Sequence, residues 1–136
     1  MIRVFLDANV LFSAARANSA TGRLIAEAGR RAALVYSPDV AEEARRNIQI
    51  KRPDAVNELE RLIARSEPTD SALFSLGFEM NLNDKTVLCA AIRGGCPYLV
   101  TGDTQHFGTL FNQNIQGVTV LSPQQFAELL RTVPPA

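Results

Sequence analysis

The chain has 136 residues, 46% of them hydrophobic and 21% charged, the size and composition of one domain that can bury a core. Fourteen Lys and Arg balance fourteen Asp and Glu, so bulk charge does not mark a nucleic-acid binder. No apolar run nears the roughly 18 residues of a membrane span, and an opening that meets Asp7 after six residues reads as neither signal nor transit peptide. Cys89 and Cys96 form no CxxC pair, which excludes a zinc finger and a disulfide scaffold and leaves small buried thiols in a reducing cytoplasm.

Ile2–Leu6 is a short β-favouring run that stops at Asp7-Ala8-Asn9. Residues 10–15 and 20–33 read as helix, interrupted near Asn18-Ser19. Leu34-Val35-Tyr36 is a second strand, ended by Ser37-Pro38. From Asp39 to about Lys51, apolar Val40, Ala44 and Ile48 recur every four residues on one helical stripe. Pro53 suits the first turn of a further helix with Val56, Leu59, Leu62 and Ile63 on one face. Residues 66–83 are assigned as a connection, with a short helix around Ala72–Leu76.

Asp84 opens a helix lined by Val87, Leu88, Ala91 and Ile92 and stopped by Gly94-Gly95 and Pro97. Tyr98–Thr101 and Val118–Leu121 are the third and fourth strands, and Ser122-Pro123 leads into a last helix with Phe126, Leu129 and Leu130 inside. Strands alternate with helices and do not themselves alternate polar and apolar residues, which predicts an α/β fold: a three-layer α/β/α sandwich around a central parallel sheet, Rossmann-like in plan. The expected domain is 1–133, with 134–136 as a short C-terminal tail.

Parallel sheets bind ligands beyond the carboxyl ends of their strands. Asp7 and Asp103 fall there by position. Glu43 borders the apolar stripe of its helix, and Asp84 precedes Val87 and Leu88 by three and four residues, on the buried face. Each acid has a plainer explanation: Asp84, with Asn83, as a helix cap, Asp103 as a turn residue, Asp7 as a brace for its loop, Glu43 exchanged with Glu42. Four carboxylates aimed at one crevice would raise one another's pKa unless a cation neutralised them. Hard oxygen donors without clustered His or Cys favour Mg²⁺ or Mn²⁺ over zinc. Such a cluster suits metal-assisted phosphodiester hydrolysis. His106 has no Ser or Cys partner, and neither GxSxG nor a P-loop is present.

Four segments in order resemble the motifs of PIN-domain ribonucleases, and they span nearly the whole chain. They are Val4–Leu11 around Asp7, Ser37–Glu43, Asp84–Ala91, and Tyr98–Asp103. The resemblance, to VapC-type toxins in particular, implies a PIN-like fold and Mg²⁺- or Mn²⁺-dependent cleavage of RNA. It implies Asp7, Glu43, Asp84 and Asp103 as metal ligands or water-orienting catalytic groups, supported by Asn9, Ser37, Thr101 and Thr104. Arg16, Arg23, Arg45, Arg46, Lys51, Arg52 and His106 are then the candidates for meeting RNA. An antitoxin partner and a homodimer are family expectations. Where some members carry a further acid beyond the fourth motif, this chain has Gln105-His106-Phe107. Alternatives are a catalytically weak RNA- or partner-binding module and a haloacid-dehalogenase-like phosphatase with Asp7 as nucleophile; a phospho-receiver domain is remote. Nothing in the phosphatase requires Glu43.

Overall fold

The computed structural model describes residues 1–134. Along the chain run β1 (Ile2–Leu6), α1 (Ala8–Ala14), α2 (Ala20–Ala28), β2 (Ala32–Tyr36), α3 (Pro38–Lys51), a 3₁₀ turn (Pro53–Ala55), α4 (Val56–Ala64) and β3 (Glu67–Pro68). There follow α5 (Leu82–Arg93), β4 (Tyr98–Val100), α6 (Thr104–Phe107), β5 (Asn114–Ile115), β6 (Val118–Leu121) and α7 (Pro123–Leu130). The sheet has the order β3-β2-β1-β4-β6-β5 and is parallel except for β5 at one edge.

This order decides where a site can form. From β1 the chain steps outward to β2 and β3, then returns across the sheet to β4 and continues to β6. Right-handed crossovers therefore put α1–α4 on one face and α5 on the other. The direction reverses between β1 and β4, and at such a switch point the connections part and leave a crevice at the strands' carboxyl ends. Leu6 pairs with Val100, so Asp7 and Thr101 emerge side by side there, tied by a 3.1 Å bond from the Asp7 amide to the Val100 carbonyl.

The central strands are mostly apolar because both faces are covered. Val4, Phe5, Leu6, Leu99, Val100 and Val120 are all fully buried. Serines start the helices: Ser19, Ser37 and Ser122 accept an amide hydrogen from the first turns of α2, α3 and α7. Gly22, in the first turn of α2, has no room for a side chain, because a Cβ there would lie 2.0 Å from the Arg16 carbonyl oxygen. No helix among the described residues is long and apolar enough to cross a membrane. Both cysteines are free and buried.

Three expectations need correction. Residues 72–76 are not helical. That stretch is held from outside, with Arg93 donating to the Ala72 carbonyl at 2.6 Å, Cys89 to that of Phe74 and Gln116 to that of Ser75. The helix expected over 20–33 ends at Ala28, capped by Gly29, because Ala32 already pairs with Ile2 in the sheet. Helix α5 opens at Leu82 rather than Asp84, with Asn81 as its cap. Of the expected tail, residues 135–136 lie outside the described part of the chain.

Candidate active site

Asp7 ends β1 and caps α1. One carboxylate oxygen accepts the Ala8 amide at 2.7 Å; the other accepts the Thr101 hydroxyl at 2.8 Å and the Asn9 side-chain amide at 3.2 Å. Its residue is only 5% exposed. Burial pushes its pKa up against the pull of those hydrogen bonds, and the nearby charges of Glu43 and Asp103 push it further.

Asp103 leaves the end of β4 and caps α6. It accepts the His106 amide at 3.0 Å, and its second oxygen lies 2.7 Å from His106 Nδ1. Partial burial opposes ionisation, but the His106 amide and ring outweigh it and hold the Asp103 carboxyl below the usual range. In return Asp103 raises the pKa of the exposed His106, helped by the charge of Asp84. Gly102 lets this turn close, since a Cβ there would press on the Asn9 side-chain oxygen at 3.3 Å, the atom that accepts the Gly102 amide at 2.7 Å.

Asp84 enters from α5. Because Asn81 caps that helix, Asp84 is the third residue of its first turn and is free to face the crevice. It is 8% exposed, and burial is the main cause that raises its pKa, with His106 opposing and Asp103 adding. Asp84, Asp103 and His106 each offer a ligand atom within 4.8 Å of the others, a grouping that could hold a metal ion.

The three aspartates, Asn9 and His106 line one open cleft of about 530 Å³. Helix α3 forms the facing wall with Asp39, Glu42, Glu43 and Arg46. Glu43 is solvent-exposed here, not turned inward, because a step of one residue carries it some 100° off the buried stripe of Val40, Ala44 and Ile48. Six carboxylates thus face Arg46 and His106, and Arg46 is already 3.7 Å from Glu42. A polyanion could lie here only if cations offset that excess.

The supporting residues divide. Thr101, fully buried, receives the Asp103 amide at 3.1 Å while donating to Asp7, and so joins two of the acids. Ser37 is buried but spends its hydroxyl on capping α3, and Thr104 is exposed outside the cleft lining. Of the basic candidates, only Arg46 and His106 line the cleft. Arg45 is held by two hydrogen bonds to Glu60, at 2.8 and 2.9 Å. Arg52 and Lys51 lie over the Phe12 ring, at 4.4 and 5.9 Å from its centroid. Arg23 donates to the Asn18 carbonyl, and Arg16 is exposed at the end of α1.

Sequence reasoning missed Asp39 and the pairing of His106 with Asp84 and Asp103. The spacing of Asp103 and His106, three apart, is the signal for the latter, but it becomes legible only if a helix is assigned to Thr104–Phe107. Replacing Thr101 by valine should keep its volume and remove the hydroxyl from Asp7. We expect a loss of about 1–3 kcal/mol, the cost of leaving buried polar groups unpaired, measured by urea unfolding.

No family model and no curated protein matches the sequence. Solved structures do match. A chain of the Rickettsia felis VapBC2 complex, bound to a DNA fragment from its promoter, aligns over 89% of this chain and 98% of its own, with 16% identity and a TM-score of 0.63. Mycobacterium tuberculosis VapC20, a toxin that cleaves the sarcin-ricin loop, aligns over 82% and 98%, with 14% identity and a TM-score of 0.54. A chain of Neisseria gonorrhoeae FitAcB aligns over 89% and 98%, with 19% identity and a TM-score of 0.54. The chain has the fold of these VapC- and FitAB-type structures, the PIN-like fold that its four acidic motifs led us to expect.

Proposed function

We propose that the chain is a divalent-metal-dependent endoribonuclease, the toxin of a cytoplasmic toxin–antitoxin pair, with Asp7, Glu43, Asp84 and Asp103 as its metal-binding and catalytic acids. The observation that carries this reading is the convergence of three aspartates, from the ends of β1 and β4 and the first turn of α5, on one cleft. Burial alone would drive two of them towards protonation. A cation among these hard oxygen donors would reverse that, which fits Mg²⁺ or Mn²⁺.

When bound, such an ion supplies Lewis acidity and a water of lowered pKa. The chain's own residues do the rest. Thr101, Asn9 and the Ala8 amide fix the Asp7 carboxylate in one orientation. His106, its Nδ1 held by Asp103, keeps Nε2 free of hydrogen bonds among the described residues and can hold a proton there against a phosphate oxygen. Arg46 supplies the cleft's other cation. The phosphatase alternative is disfavoured, because both Asp7 oxygens are engaged as acceptors and no lysine lines the cleft. An antitoxin partner belongs to this reading, since VapBC complexes are among the structures of the same fold, and a homodimer accompanies it as the expectation from the resemblance.

Incubation with single-stranded RNA should give cleavage with Mn²⁺ or Mg²⁺ and none with a chelator. Because water is the attacking group, the products should lack a 2′,3′-cyclic phosphate. Mn²⁺ should also raise the thermal midpoint, by about 2.7 kcal/mol of stability at a hundredfold excess over its dissociation constant. Cleavage that persists in chelator, or a midpoint indifferent to both ions, would refute the reading.

A further inference from the structure

Next to the acidic cleft lies a second pocket of about 360 Å³, within the size range of small-ligand sites. Its apolar walls are Leu76, Phe78 and Met80 from the connection before α5, and Lys85 closes it from the first turn of that helix. The two cavities share that turn: Asp84 lines the cleft and Lys85, one residue on, lines the pocket. Adjacent Cα atoms are about 3.8 Å apart, and successive helical side chains diverge by about 100°. A strand lying against Asp84 therefore has Lys85 within reach of its next residue.

Two observations show a surface that is built but unused within the chain. Phe78 is 41% exposed in this pocket, and Leu73 and Leu82, also exposed, line the neighbouring cleft. Lys85 is half-buried, yet it takes no part in any ion pair among the described residues. Gly77 gives the connection its bend, with φ at +87° and nothing within 4 Å of where a Cβ would stand.

We propose that this pocket is a nucleobase subsite: the ring of Phe78 stacks an unpaired base of the strand held in the cleft, and Lys85 meets the phosphate joining that nucleotide to the scissile one. Aromatic rings beside a cation bind single strands in this way, since every base offers a π-face. Glu79, the acid of the same pocket, repels phosphate and so sets the base edge on its side and the backbone on that of Lys85. The inference rests on the nuclease reading and makes single-stranded RNA, rather than duplex, the substrate class.

The test uses a fluorescein-labelled single-stranded RNA hexanucleotide bound, in millimolar Mg²⁺ to offset the remaining carboxylates, to the full chain carrying Asp84→Asn, so that the probe stays intact. Anisotropy should show binding that Phe78→Ala weakens about tenfold and Phe78→Tyr restores. Lys85→Ala should flatten the salt dependence by about 0.7 in the slope of log K against log salt, one phosphate's share on a single strand. In parallel, Phe78→Ala in the otherwise wild-type chain should raise KM for single-stranded RNA and leave kcat unchanged. Phe78 is partly exposed, so an unaltered thermal midpoint verifies the fold. Equal affinity with and without the ring, or no binding of the hexanucleotide, overturns the subsite. Cleavage that continues with unchanged KM in Phe78→Ala also overturns it while the nuclease reading stands. Ring-dependent binding in a chain whose wild type cleaves nothing has the opposite meaning: the subsite stands and the nuclease reading falls.

Discussion

Replacing Asp84 by asparagine should reduce RNA cleavage by roughly a hundredfold to a thousandfold, the loss usual when one preorganised electrostatic group is removed from a reaction centre. The substitution is nearly isosteric, and Asn81 rather than Asp84 caps α5, so the helix start stays intact. What disappears is one negative charge in a grouping of three ligand atoms, leaving Asp103 and His106. Because burial already disfavours the Asp84 carboxylate, removing it should not lower stability in chelator. The Mn²⁺-induced rise in thermal midpoint should shrink with the activity. Single-turnover cleavage of a labelled RNA and thermal unfolding with and without Mn²⁺ check this together. Activity within tenfold of wild type would mean that Asp84 holds neither ion nor water, and the site would need another centre.

The sheet was legible because its strands obey a strong rule. A strand covered on both faces is predominantly apolar, and Ile2–Leu6, Tyr98–Val100 and Val118–Leu121 are bounded by Asp, Gly or Pro, so their ends were readable too. The edge elements follow no such rule. Strands β3 and β5 have two residues each and α6 has four, too short for any periodicity to register. Residues 69–81 take their path from distant partners such as Arg93 and Gln116, information that no local window contains.

The candidate site divides along the same line. Asp7 and Asp103 were readable because a strand end fixes its residue at the sheet's carboxyl edge, and Asp84 because helical spacing put it over Val87 and Leu88. Glu43 was readable only as a member of the stripe's border, and spacing could not separate a buried carboxylate from the exposed one observed. Thr101 as the link between two acids needs the β1–β4 register, which pairs Leu6 with Val100. Lys51 and Arg52 looked like free cations in sequence; an aromatic ring from α1, forty residues away, lies beneath them.

Asp7→Asn should abolish cleavage, by at least about a hundredfold, while leaving the protein as stable as wild type or more so at neutral pH in chelator. The sign follows from linkage. Burial raises the Asp7 pKa in the folded chain above its value in the unfolded chain, and the charges of Glu43 and Asp103 add to it despite the hydrogen bonds from Thr101 and Ala8. The native state therefore binds the proton more tightly. Stability from this group is present below the ordinary carboxylate range and is lost as pH rises through the folded value, so ionised Asp7 is a cost at neutral pH. Asparagine keeps an oxygen for the Ala8 amide, and the Thr101 hydroxyl can turn to accept from the new amide, so that only the longer 3.2 Å bond from the Asn9 amide is lost. Wild type should thus lose stability relative to the variant as pH rises from the ordinary carboxylate range through the folded value to neutrality, as read by urea unfolding in chelator. Mn²⁺ should favour wild type again, because only the carboxylate rewards a cation. A variant less stable than wild type by more than about 1 kcal/mol at acidic and at neutral pH alike would mean that Asp7 serves the fold through its hydrogen bonds. A variant at least as stable but inactive would mean that the fold carries this buried charge at its own expense, as a site built to receive a cation must.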